Sequence, residues 1–186
     1  EARLRSRWMS SRSCFLAFGK DAANELRSRL PRHMDARTTH SLGGRALASA
    51  LGKRNASELE LDPQKYIKLV NKALNDLAPR AKTTEERAEW QEYLSKLVEY
   101  ARLNHIDAGN QDEIRDLAVR YNFEPPVDLE VEAELHGYLQ RILEAGVAHA
   151  LEQGHIDFTD MLYVPEAAQL ALPRYDFVCV DEAQDY

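Results

Sequence analysis

Between residues 55 and 150 the chain has no alternating run of β-branched residues, and its apolar side chains recur at three- and four-residue spacings. Strands need a period of two and helices one of 3.6, so this block cannot pair into a sheet and must bury helical stripes against one another. Pro63 suits the first turn of a helix through Ile67, Val70, Leu74 and Leu77, which Pro79 stops. Thr83 followed by Glu86 forms a capping box ahead of Trp90, Leu94, Leu97 and Val98. Ile114, Leu117 and Ala118 mark a further helix that ends before Pro125 and Pro126. Residues 129–151 form a long amphipathic segment, weakened at Gly137 and Gly146, and Gly154 closes the block. The middle of the chain is therefore predicted to be an all-helical insertion.

The flanks have a different period. Residues 1–9, with Leu4 and Trp8 on one face, read as the tail of a helix. Cys14 to Phe18 form a compact apolar strand, Gly19 turns the chain, and residues 20–30 are helical until Pro31. A short strand over 34–39 leads to a helix capped by Thr39 or Ser41 and reaching about Leu51, although Gly43 and Gly44 each weaken it. After the insertion, residues 158–163 and 165–172 read as two short helical turns. The run DFVCV, 176–180, then reads as a central parallel strand. The expected class is α/β, divided into residues 1–54, the helical insertion 55–150, and a return over 151–186, with the β-like runs at 14–18, 34–39 and 176–180 sharing one parallel sheet.

Charge is unevenly placed. Residues 1–54 carry 12 Lys and Arg against 4 Asp and Glu, whereas residues 55–186 carry 12 against 27. A basic first third can face phosphate, because that attraction follows the local field and not the total of −7. An unevenly charged solvated surface accounts for the same numbers. No apolar run of membrane-spanning length occurs, and the charged opening EARLRSRWMS predicts no signal peptide. Cys14 and Cys179 each sit in a short apolar run and read as buried thiols of an intracellular protein. His136, His149 and His155 read as solvated-face residues, and His105 with Asp107 as a helix end, since no ligand set completes around them.

Chemistry is most legible at DEAQD. Ligands of open α/β sheets bind where strands end, and Asp181 and Glu182 directly follow an apolar strand. An Asp held there can bind Mg²⁺ and present it to triphosphate oxygens. Glu182 can orient or deprotonate an attacking water, Gln184 can report on the γ-phosphate, and Asp185 adds a further carboxylate. Solvated strand-end acids produce the same pattern.

VCVDEAQDY resembles the second ATPase motif of the UvrD/Rep-like superfamily 1 DNA helicases. LAFGKDAANELRSRL resembles that family's motif Ia, with Gly19 where Asn is usual. TTHSLGGRAL resembles its Thr-Phe-His-Ser-Leu segment, with Thr39 replacing the aromatic, and IDFTDMLYVP resembles the stretch before the Walker B strand. The LAF and TTHSL forms look closest to the F-box DNA helicase branch. The resemblance implies a RecA-like P-loop NTPase sheet, present in part, with residues 55–150 as the inserted subdomain 1B. It implies ATP and Mg²⁺ as cofactors, Asp181 as the metal ligand, Glu182 as the catalytic base, and Gln184 and Asp185 as nucleotide-sensing positions. It places Phe18, Lys20 and Ala22, then Thr39, His40 and Ser41, along a path for single-stranded DNA or a single/double-strand junction. Taken alone, His40 reads as a satisfied boundary histidine, Thr39 and Ser41 as helix caps, and Lys20 as a solvated helix-start lysine. Gly19 and Thr39 lack a hydrogen-bonding group and a stacking ring that the family pattern has.

No GxxxxGK[ST] occurs in the 186 residues. Family order places the phosphate loop before Glu1, and the later motifs with the remaining motor domain beyond Tyr186. The expected function is thus one part of an ATP-dependent 3′–5′ helicase or translocase acting in DNA repair and recombination. A nuclease–helicase repair complex and a degenerate, non-enzymatic DNA-binding or regulatory protein are the alternatives. A cytoplasmic location is expected if the protein is bacterial or from a phage, and a nuclear one if it is eukaryotic.

Overall fold

The structure, a computed structural model, describes residues 11–185; the expected helix tail over 1–9 lies outside them. Strand β1 (Ser13–Ala17) is followed by helix α1 (Lys20–Arg29), strand β2 (Asp35–Thr38) and helix α2 (Thr39–Ala50). Strand β5 (Phe177–Val180) returns after the insertion and pairs parallel to β1, giving the order β2-β1-β5. The three β-like runs over 14–18, 34–39 and 176–180 thus share one parallel sheet, as expected. Ser13, Cys14 and Ala17 of β1 and Ala36 of β2 are buried in it, with Ala23 of α1 packed in as well.

Two expectations about β5 fail. The strand lies at the sheet's edge, not its centre, and all four of its residues are exposed, Cys179 among them. An apolar run signals a need for cover, but which elements supply it is decided by topology.

Thr38, not Thr39 or Ser41, caps α2: its hydroxyl accepts from the Ser41 amide at 3.1 Å. The two glycines that weaken this helix in sequence have a packing role. Helix α7 (Asp160–Ala167) crosses α2, and a Cβ on Gly43 would lie 1.7 Å from the Met161 carbonyl oxygen. That oxygen is the acceptor that Pro165, four residues on and without an N–H, cannot bond. The bare face of Gly43 lets α2 rest against the carbonyl freed by the proline. Residues 158–172 therefore hold one helix running through Pro165, not two turns.

In the insertion, α3 (Lys65–Leu77), α4 (Thr84–Asn104), α5 (Gln111–Arg120) and α6 (Leu129–Gln153) bury one shared core. Leu74, Leu94, Leu97, Ile114, Leu135 and Leu139 lie within it at 0–1% exposure. Thr83 caps α4 as predicted, accepting from the Glu86 amide, while the Glu86 carboxylate reaches past the cap to the Lys82 amide at 2.7 Å. Pro63 stands two residues before α3, not in its first turn. His105 ends α4 and Gly154 ends α6, both in the left-handed conformation. The block is not wholly helical: β3 (Glu60–Leu61) lies within it and pairs parallel with β4 (His155–Ile156), just beyond its end. His136 is buried, bonded to Tyr93 Oη at 2.9 Å and Gln111 at 3.0 Å, and is no solvated-face residue. No helix among the described residues is long and apolar enough to cross a membrane.

Candidate functional site

Because β1, β2 and β5 run parallel, Phe18, Thr39 and Asp181 leave the sheet at one edge. The Asp181 amide donates to the Leu16 carbonyl at 2.8 Å, which fixes the first acid to the end of β1. Glu182 turns in the left-handed region at φ 50°, and Gln184 donates its side-chain amide to the Glu182 carboxylate. A short 3₁₀ turn over Ala183–Asp185 follows. Asp181, Glu182 and Gln184 are exposed.

At the carboxyl ends of β1 and β2, on the same edge of the sheet, lies an open cleft of 460 Å³, which none of these acids lines. Phe18, Lys20, Arg27, His40, Ser41 and Phe158 are among the residues that line it. Four of the six positions expected to meet DNA are thereby gathered: Phe18 from the turn after β1, Lys20 from α1, and His40 and Ser41 from α2. Ala22 is not among the lining residues; the cleft meets Ala23 and Asn24 of the same helix. Thr39 faces away, into a neighbouring 540 Å³ groove with Leu42, Met161 and Leu172.

The His40 ring stacks on Phe158, with centroids 3.9 Å apart and planes 18° from parallel. Burial holds the His40 imidazole below its ordinary pKa, so at neutral pH it is an uncharged hydrogen-bonding ring. Ser41 is engaged in the α2 cap, its hydroxyl donating to the Thr38 carbonyl at 3.0 Å. Positive charge in the cleft comes from Lys20 and Arg27. Phe158, 62% exposed, carries no role in the sequence reading, although IDFTDM contains it.

A second group escaped the sequence reading altogether. Asp160 is fully buried, accepting from Lys65 Nζ at 2.6 Å and Tyr66 Oη at 2.8 Å. Arg102 Nη1 lies 2.7 and 2.8 Å from the two Asp157 oxygens and 3.4 Å from Asp160. Burial pulls the Lys65 ammonium below its usual pKa, with Asp160 opposing it. Burial works the same way on Arg102, but Tyr66, Asp157 and Asp160 together outweigh it and raise that group. Lys65 and Asp160 are 95 positions apart, so no local pattern could announce the pair.

No family model, curated protein or solved structure matches the chain. What the site can do rests on its own donors. Asp181 offers an exposed hard-oxygen ligand of the kind Mg²⁺ takes singly or in pairs, completed by water and phosphate oxygens, so the residue fits that ion. Among the described residues no three His, Cys, Asp or Glu side chains converge on a metal position. A triphosphate also requires a cradle of backbone amides of the phosphate-loop kind, which no segment of the sequence encodes.

Proposed function

We propose that the chain is part of the first motor domain of an ATP-dependent 3′–5′ DNA helicase or translocase, with a RecA-like sheet. The observation that carries this reading is one sheet edge bearing both the Asp181–Glu182 acids and a cleft with aromatic rings and cations. Phosphates of a single strand would meet Lys20 and Arg27, and bases would stack on the rings of Phe18, His40 and Phe158, which is the sequence-tolerant chemistry of single-strand binding. Asp181 would hold Mg²⁺, whose charge offsets that of triphosphate oxygens. The Glu182 carboxylate would accept a proton from water, which first requires it to leave Gln184. The phosphate loop and the remaining motor domain would be supplied by a parent chain. The exposed apolar face of β5 supports such a partner, since a strand of that composition is ordinarily covered.

The test has two arms. The 186-residue chain should release no phosphate from Mg·ATP above blank, with or without single-stranded DNA. In the parent chain, Glu182→Gln should leave Mg·ATP binding near normal and slow single-turnover hydrolysis by about 10²-fold or more. Asp181→Asn should weaken metal-dependent nucleotide binding as well. Hydrolysis at the parental rate in Glu182→Gln removes the assignment.

A further inference from the structure

The buried charges around Asp160 do more than neutralise one another. Asp157 and Asp160 clasp reciprocally: the Asp157 amide donates to Asp160 Oδ2 at 3.0 Å, and the Asp160 amide donates to Asp157 Oδ1 at 2.8 Å. The clasp closes a tight turn over residues 157–160, and Phe158 projects from it onto His40. The groups that hold the clasp come from the insertion. Lys65 and Tyr66 belong to α3, and Arg102 belongs to α4. The Arg102 guanidinium lies over the Tyr66 ring at 3.6 Å. Gly146 of α6 leaves room for that ring, since a Cβ there would fall 2.3 Å from Tyr66 Oη. Every buried polar side-chain atom among the described residues has a hydrogen-bond partner. Buried ion pairs of this kind give little net stability over a hydrophobic replacement of equal volume, so their directional bonds are the property that apolar residues could not supply.

We propose that Asp160, gripped by Lys65, Tyr66 and Arg102, is a positioning residue that fixes the Phe158 ring in the cleft, so that the helical insertion sets the geometry with which the cleft meets a base. The inference rests on the single-strand reading above for what Phe158 meets, but not for how Phe158 is held. An Asp160→Asn change is diagnostic because Lys65 Nζ, Tyr66 Oη and the Asp157 amide all donate to the two carboxylate oxygens. At Oδ2 an amide NH₂ would face two obligate donors, Lys65 Nζ and the Asp157 amide; at Oδ1 it would face Arg102 Nη1 at 3.4 Å, and Tyr66 Oη would have to turn from donor to acceptor.

The experiment uses the 186-residue chain, NMR of the His40 ring protons, and titration with a fluorescent oligothymidylate. Asp160→Asn should move the His40 resonances toward their positions in Phe158→Ala, where the ring stacked on the imidazole is gone. It should lower oligothymidylate affinity about tenfold, the scale of losing one stacked base. Combined with Phe158→Ala it should lower affinity no further, because both changes remove the same contact. Arg102→Lys should preserve more of the His40 shift than Arg102→Met. Should Asp160→Asn fail to fold, Asp157→Ala breaks the clasp from its more accessible side and is read in the same way. His40 resonances unmoved in a folded clasp variant, or affinity losses that multiply in the double variant, would overturn the proposal. A wild-type chain that ignores oligothymidylate removes the DNA reading, and the His40 resonances alone then decide whether Asp160 positions Phe158.

Discussion

The helical block and the parallel sheet are built to different degrees of closure. In the block, α3 to α6 surround a core whose leucines are almost wholly hidden, and each helix turns a single apolar stripe inward. In the sheet, β1 buries Ser13, Cys14 and Ala17 and leaves Phe15 and Leu16 half-buried, while β5 exposes Phe177, Val178 and Val180 at 44–54%. The difference teaches where stability and chemistry separate. The block holds itself together through apolar burial, which is worth roughly 25 cal/mol per Å². The sheet edge leaves the rings of Phe18 and Phe158 and the acids Asp181 and Glu182 open to solvent, where the proposed ligands could reach them.

Breaking the block should cost most. Leu97→Ala, at a site with 0% exposure, should destabilise the chain by about 2–5 kcal/mol in urea unfolding. A smaller loss would mean that the core there relaxes around the gap. Next comes the junction between the two regions. Gly43→Ala drives a methyl into the Met161 carbonyl, and the α2–α7 crossing should open at a cost of about 1–3 kcal/mol or more. Because α2 carries His40, the same change should disturb the His40–Phe158 stack; an unaltered melting temperature would show that α7 shifts freely.

Acid should act on both regions in one direction. Burial lowers the pKa of His136 in the block and of His40 at the cleft, so the folded chain keeps both neutral. The unfolded chain protonates them near the ordinary value of 6.5 and is thereby favoured as pH falls. Stability should be flat above about pH 7.5 and decline below about pH 6.5, and His136→Gln should make that decline shallower. Thermal melts between about pH 8 and pH 5 check this, and an unchanged slope in the variant would place the titration elsewhere. Least should happen on β5: Val178→Thr, at a half-exposed edge position, should change stability by no more than about 0.5 kcal/mol. A larger loss would show that this strand is covered in solution.

Sequence periodicity was enough to read the helices of the block, the three parallel strands and the acids at a strand's end, because each of those signals is local. Three of the departures arise from contacts between distant segments. The β3–β4 pair is two residues long and has no period to detect. Gly43 and Pro165 look like defects in two separate helices and make sense only where those helices cross. Phe158 and the Lys65–Asp160 pair were invisible for the same reason, since the ring's partner and the carboxylate's cation both lie far away along the chain. Thr39 shows the opposite failure: one residue of helix phase separates it from His40, and it lines the wrong groove.

The central claim, that a single strand occupies the cleft at the sheet's carboxyl edge, is tested most directly by photocrosslinking oligothymidylate to the chain and mapping the adducts by mass spectrometry. The account predicts adducts on Phe18, His40 and Phe158, suppressed when salt is raised, because Lys20 and Arg27 supply the phosphate contacts. Adducts confined to the outer faces of α3 to α6, or none at concentrations that saturate the rings of known single-strand binders, would contradict it.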